Sequence, residues 1–171
     1  MRLFLILLVL SACALPQGAA NRSAATGISG VVSRTEIVGQ QQPGRRLHDV
    51  TLARAYILER NGTVVFTVRL GRRWTGGRGP PRFRQAYSGG ARLDWRMAAG
   101  DQRFCLRADC THPLLGTVRL SRTAFVAAGD GGLSVRLISG AGARDVKLPP
   151  GLFLDALARW QSDRPSAAGT G

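Results

Sequence analysis

The sequence predicts a mainly β fold, a small antiparallel β-sandwich or barrel-like domain with one short mid-chain helix and a C-terminal helix. Residues 51 to 70, TLARAYILERNGTVVFTVRL, set Asn61-Gly62 between two apolar runs. Asn-Gly there is the strongest short hairpin signal, because both central positions of a type I′ turn need positive φ. Residues 132 to 139, GLSVRLIS, alternate Leu133, Val135 and Leu137 against Ser134 and Arg136, the period of a half-buried strand. After Pro149-Pro150, the residues Leu152, Phe153, Ala156, Leu157 and Trp160 form an apolar stripe of helical period.

The chain opens with Met1-Arg2 and then LFLILLVL, residues 3 to 10. That run falls short of the ~20 apolar residues a spanning helix needs and fits the apolar stretch of a secretory signal. Leu10-Ser11-Ala12-Cys13 follows. These four residues resemble the lipobox of bacterial lipoproteins, in which the Cys sulfur takes a diacylglycerol and the leader is cut before it. The resemblance implies lipid attachment at Cys13, a signal peptide over 1–12 and a cell-envelope location facing the periplasm. With Ala14 after the cysteine, the same resemblance implies the outer membrane rather than the inner. Ordinary cleavage at Ala12-Cys13-Ala14, which has the small-x-small form, is the competing reading. Residues 13–30 are small, polar and Gly-containing and read as a flexible lipidated tether. Residues 31–161 then form a single β-rich domain, and SDRPSAAGTG, 162–171, reads as a disordered tail.

Within the domain, a two-residue loop at Asn61-Gly62 pairs Arg60 with Thr63 and Ile57 with Phe66. One face then holds Ala53, Ala55, Ile57, Val64, Phe66, Val68 and Leu70, and the other Val50, Leu52, Tyr56, Leu58, Val65 and Thr67. Both faces are partly apolar, which suits a sandwich or closed barrel. Residues 71 to 92, GRRWTGGRGPPRFRQAYSGGAR, carry Gly and Pro that argue against a regular element. Strands resume at ARLDWRM, with Leu93, Trp95 and Met97 on one face, and at QRFCLR, with Phe104 and Leu106. Ser121 is placed to N-cap a helix through Ala128, ended by Gly129. RDVKL returns as a strand after GLSVRLIS.

The chain has 171 residues and a formal charge of +14, almost all of it arginine, with Lys147 the one lysine. Net charge speaks to partners rather than fold. For an exported chain it points to anionic lipid, lipopolysaccharide or an acidic polymer, and away from nucleic acid. With Cys13 assigned to lipid, Cys105 and Cys110 remain, and an even number in an exported chain favours a disulfide. Their spacing is not Cys-x-x-Cys, and His48 and His112 lack the paired spacing of a zinc site, so neither redox catalysis, a metal nor another cofactor is expected. His48-Asp49 are adjacent and so point to opposite sides of a strand, and His112 falls in an expected exposed loop. No nucleophile elbow, phosphate loop or His-Glu-x-x-His appears, so a catalytic role is not expected.

The residues that stand out are Arg69, Arg72, Arg73, Arg78, Arg82, Arg84 and Arg92, interleaved with Trp74, Phe83 and Tyr87 and free of acids. Guanidinium forks grip phosphate, and aromatics settle at interfaces or stack on sugars. These ten are the candidate anion-binding residues, read as one long loop.

Residues 103 to 160 place FCLRADCTHPLLG, LSRTAFVAAG, GGLSVRLIS, ARDVKLPPG and LFLDALARW in that order. This series resembles the C-terminal half of the invasion-associated locus B family of exported bacterial proteins, although that family commonly carries further cysteines in its first half. The resemblance implies a small exported β-rich module without established catalytic chemistry. The expected function is therefore a non-catalytic envelope lipoprotein, a binding or accessory module for anionic envelope components. A structural partner subunit docked on another envelope protein is the alternative, and an envelope hydrolase the third reading.

Overall fold

The computed structural model describes residues 28–38, 49–74, 82–100, 102–106 and 109–163, with the backbone alone at 28, 49, 73, 74, 106, 109 and 110. The leader, Cys13, His48, Arg78 and residues 164 to 171 lie outside the described residues. Two antiparallel sheets and two helices enclose one core, and no barrel closes among the described residues.

The larger sheet is built on three long strands, β3 (Asp49–Arg60), β4 (Thr63–Trp74) and β9 (Asp109–Leu120). The β3–β4 hairpin has the expected register, Arg60 opposite Thr63 and Ile57 opposite Phe66. Asn61 at φ 50° and Gly62 at φ 73° supply its turn. Ala53, Ala55, Ile57, Val68 and Leu70 are fully buried on the inner face. Strands β1 (Ile28–Val32) and β2 (Glu36–Ile37) pair in succession along the free edge of β3. On the far side β7 (Asp94–Met97) and β8 (Arg103–Leu106) do the same along β9.

The second sheet runs β11 (Gly142–Leu148), β10 (Leu133–Ser139), β5 (Phe83–Ser88), β6 (Ala91–Arg92). The helices α1 (Arg122–Gly131) and α2 (Pro150–Ser162) share in covering the same core. Phe125 of α1 lies between Phe66 of β4 and Phe153 of α2, with centroids 5.2 and 5.1 Å away. The indole N–H of Trp95 in β7 donates to the carbonyl of Phe83 in β5 at 2.8 Å, joining the sheets at one edge. Asp155 of α2 accepts from the backbone N–H of Arg34 at 2.6 Å and from Arg159 Nε at 3.1 Å, which holds the helix to the β1–β2 bend.

Five expectations change. Ser162 and Asp163 are not tail, since Ser162 ends α2 and the Asp163 N–H donates to the Arg159 carbonyl as its cap. Residues 28 to 30 are not tether but the start of β1, where Gly30 pairs with Leu58. A Cβ at Gly30 would lie 2.6 Å from the Leu58 side chain, so this glycine signals close packing rather than flexibility. The stretch 71 to 92 contains regular strand at both ends, 71–74 in β4 and 83–88 in β5. Gly71 stays in β4 because the Phe104 ring occupies the place its side chain would take, 2.3 Å from the nearest ring atom. Helix α1 continues past Gly129, which packs beneath Leu154 of α2, and ends at Gly132, whose φ of 76° no β-branched residue accepts cheaply. His112 is buried within β9, opposite Phe104, and not in an exposed loop. The Ser121 cap holds as expected, its Oγ accepting from Ala124 N–H at 3.1 Å, a contact typically worth about 1 kcal/mol.

Candidate anion-binding surface

Strand register decides which arginines meet. On the outer face of the larger sheet, Arg54 of β3 lies opposite Arg69 of β4, Arg69 opposite Thr117 of β9, and Thr117 opposite Arg96 of β7. The next row reads Tyr56, Thr67, Arg119 and Asp94. Neighbouring strands are about 4.8 Å apart, so four guanidinium groups rise from two adjacent rows. Asp94 is the single acid in those rows. Its carboxylate lies 3.9 Å from Arg96 Nε, with the two side chains 72 and 51% exposed, a pair of little energetic weight.

Like charges placed directly opposite repel, and the sheet manages Arg54 and Arg69 with aromatic faces. The Arg69 guanidinium sits 4.7 Å from the centroid of Tyr56. That of Arg54 sits 5.6 Å from the centroid of Phe104, while its Nε donates to Thr35 Oγ1. A cation–π contact orients the cation without cancelling its charge. The result is a patch of fixed positive charge around an aromatic ring, able to receive phosphate or carboxylate oxygens from solvent.

The ten residues singled out in the sequence do not form one loop. Arg69 belongs to the patch just described. Arg72 is 4% exposed and lies on the inner face opposite Thr51, whose Oγ1 accepts from Arg144 Nη1 at 3.3 Å. Its burial follows from strand alternation, since it continues the row Phe66, Val68, Leu70. Phe83 is 3% exposed and part of the core, so it is not available as a stacking surface. Arg82 and Arg84 are exposed, and Tyr87 and Arg92 stand opposite one another on the outer face of the four-stranded sheet. Backbone pairing puts Arg73 and Trp74 at the end of β4 opposite Val50 and Asp49, and Arg78 falls outside the described residues.

The stretch from 69 to 92 thus starts in one sheet and ends in the other, with Arg69 on the outer face of the first, Arg92 on the outer face of the second and Arg72 buried between. Arg54, Arg96 and Arg119 complete the patch around Arg69. Arg54 follows from the hairpin register at Asn61-Gly62, while Arg96 and Arg119 come from strands farther along the chain and are placed only once the pairing of β9 and β7 is known.

Among the described residues no group of three or more His, Cys, Asp or Glu is gathered, and no helix is long and apolar enough to cross a membrane. No family model, no curated protein and no solved structure matches the chain.

Proposed function

We propose that this chain is an exported, lipid-anchored module without catalytic chemistry, whose larger sheet lays its basic outer face against phosphate-bearing envelope surfaces. The observation that carries the reading is the paired rows holding Arg54, Arg69, Arg96 and Arg119 around Tyr56. The apolar leader and the lipobox-like Leu10-Ser11-Ala12-Cys13 support export and a lipid foot at Cys13. Two or more acyl chains anchor a protein stably, and a basic face adds to that anchoring on an anionic leaflet. An outer-membrane location facing the periplasm fits both.

A Cys105–Cys110 bridge belongs to the same reading. Leu106 pairs with Asp109 at the end of the β8–β9 hairpin, so Cys105 and Cys110 are the next positions along the two strands. The register shifts between Phe104 and Leu106, and paired strand positions have Cα atoms about 4.5–5.5 Å apart, within the ~4.4–6.8 Å that a disulfide spans.

The test is retention on vesicles containing phosphatidylglycerol of the chain carrying Cys13→Ser, which takes no lipid, using two four-fold Arg→Ser variants of equal charge. Substitution at Arg54, Arg69, Arg96 and Arg119 is expected to abolish retention. Substitution at Arg82, Arg84, Arg92 and Arg136 is expected to leave most of it. Equal losses in both would show that net charge alone governs binding and would remove the case for a defined face.

A further inference from the structure

The outer face of the four-stranded sheet carries a second, chemically different feature. One cross-strand row there reads Asp145, Arg136, Tyr87, Arg92, over β11, β10, β5 and β6 in turn. Around Tyr87 the surface hollows into a cleft of about 530 Å³, lined among others by Arg136, Ile138, Asp145, Lys147 and the Gly89-Gly90 turn. Both glycines have positive φ, 53° and 82°, so the β5–β6 hairpin turns tightly beside the cleft. The volume falls within the about 300–1,000 Å³ of ordinary small-ligand sites.

We infer that this cleft holds an acidic sugar residue of a glycan, a ring bearing a carboxylate or phosphate. Three features must be used at once. Tyr87 and Ile138 offer an apolar floor, which suits the C–H face of a pyranose ring. The Tyr87 hydroxyl donates to Gln85 Oε1 at 3.0 Å, which restrains the ring. Arg136 and Lys147 supply positive charge on one side of that floor, and Arg92 flanks Tyr87 on the other. Asp145 lies across from Arg136, with 4.0 Å between Nε and Oδ1 and both side chains well exposed, so it is free to accept from ligand hydroxyls.

Asp145 discriminates among ligands. A carboxylate in the cleft repels bare phosphate, and an acyl chain makes no use of it. A neutral sugar offers Lys147 no anion and leaves Arg136 with Asp145 alone. A ring with hydroxyls and one anionic group engages all of them, and bidentate Arg contacts suit carboxylate and phosphate alike. This surface is separate from the patch around Arg69 and does not depend on it.

The experiment titrates the full chain with a galacturonic acid tetrasaccharide, glucose 6-phosphate, a neutral galactose oligosaccharide and inorganic phosphate, followed by calorimetry. Saturable binding to the tetrasaccharide or the sugar phosphate, at least about tenfold tighter than to the neutral sugar, is expected from the added charge-assisted contacts. The stronger of the two names the source of the anion. Tyr87→Ala and R136S are each expected to weaken that binding by about tenfold, the scale of one stacking or ionic contact. Tyr87→Phe, which keeps the ring, is expected to retain it and so guards against misfolding as the cause. D145N is expected to weaken sugar binding while strengthening inorganic phosphate binding, and none of these changes alters vesicle retention. Equal affinity for neutral and acidic sugars, binding of inorganic phosphate as tight as of the sugars, or no binding at all would overturn the inference.

Discussion

Gly71→Ala puts a methyl group where Phe104 already stands. An added Cβ would lie 2.3, 2.5 and 2.7 Å from three Phe104 side-chain atoms, all well inside van der Waals contact. The ring cannot yield freely, since Phe104 is 3% exposed and Leu52, opposite Gly71, is 2% exposed on the same face. Overpacking of this kind costs about 1–3 kcal/mol, against a gain of roughly 0.5–1 kcal/mol from replacing a strand glycine. The net loss expected for G71A is therefore about 1–2 kcal/mol. F104A alone leaves a cavity and costs about 3–5 kcal/mol. In the double variant the clash is gone, so the second substitution becomes neutral or slightly stabilising, and the coupling is about 1–3 kcal/mol. Urea unfolding, compared at equal m values, reads all four corners of the cycle. Additive losses would refute the reasoning, because they would mean that the β8 ring does not rest on β4.

Phe125→Ala is expected to destabilise by about 3–5 kcal/mol, since it empties the space between Phe66 and Phe153, and the loss is read as a lower urea midpoint. D155A removes the acceptor of the Arg34 amide and one partner of Arg159, so hydrogen exchange at Arg34 should quicken while the β3–β4 hairpin amides stay protected. Reduction of the proposed Cys105–Cys110 bridge should lower stability by roughly 2 kcal/mol on the chain-entropy estimate, and C105S should abolish the effect of reductant.

The β3–β4 hairpin was legible nearly residue by residue, because Asn61-Gly62 sets the register and alternation then assigns every side chain a face. Strand β10 and helix α2 were legible for the same reason, each showing one clean period. The arginine-rich stretch was not. Gly71 and the Gly and Pro residues near it resemble punctuation, yet Gly71 sits inside a strand to make room for a ring that arrives 33 residues later. Arg72 faces inward because it continues the inward-facing positions of β4, whereas Phe83 does so because the β5–β10 ladder shifts register between Gln85 and Phe83, and a stretch read as loop reveals neither. Gly89-Gly90 was a hairpin signal of the same kind as Asn61-Gly62, obscured by the irregular composition before it. His112 defeated the reading because its burial depends on pairing with Phe104, a contact no local pattern encodes.

Arginine-selective labelling with phenylglyoxal, read by mass spectrometry with and without phosphatidylglycerol vesicles, tests the binding face most directly. Arg69, Arg96 and Arg119 should be protected by the vesicles, while Arg84, Arg92 and Arg136 label as in free solution. Protection of the second set in place of the first, or none in either, would contradict the assignment of the membrane-facing surface to the larger sheet.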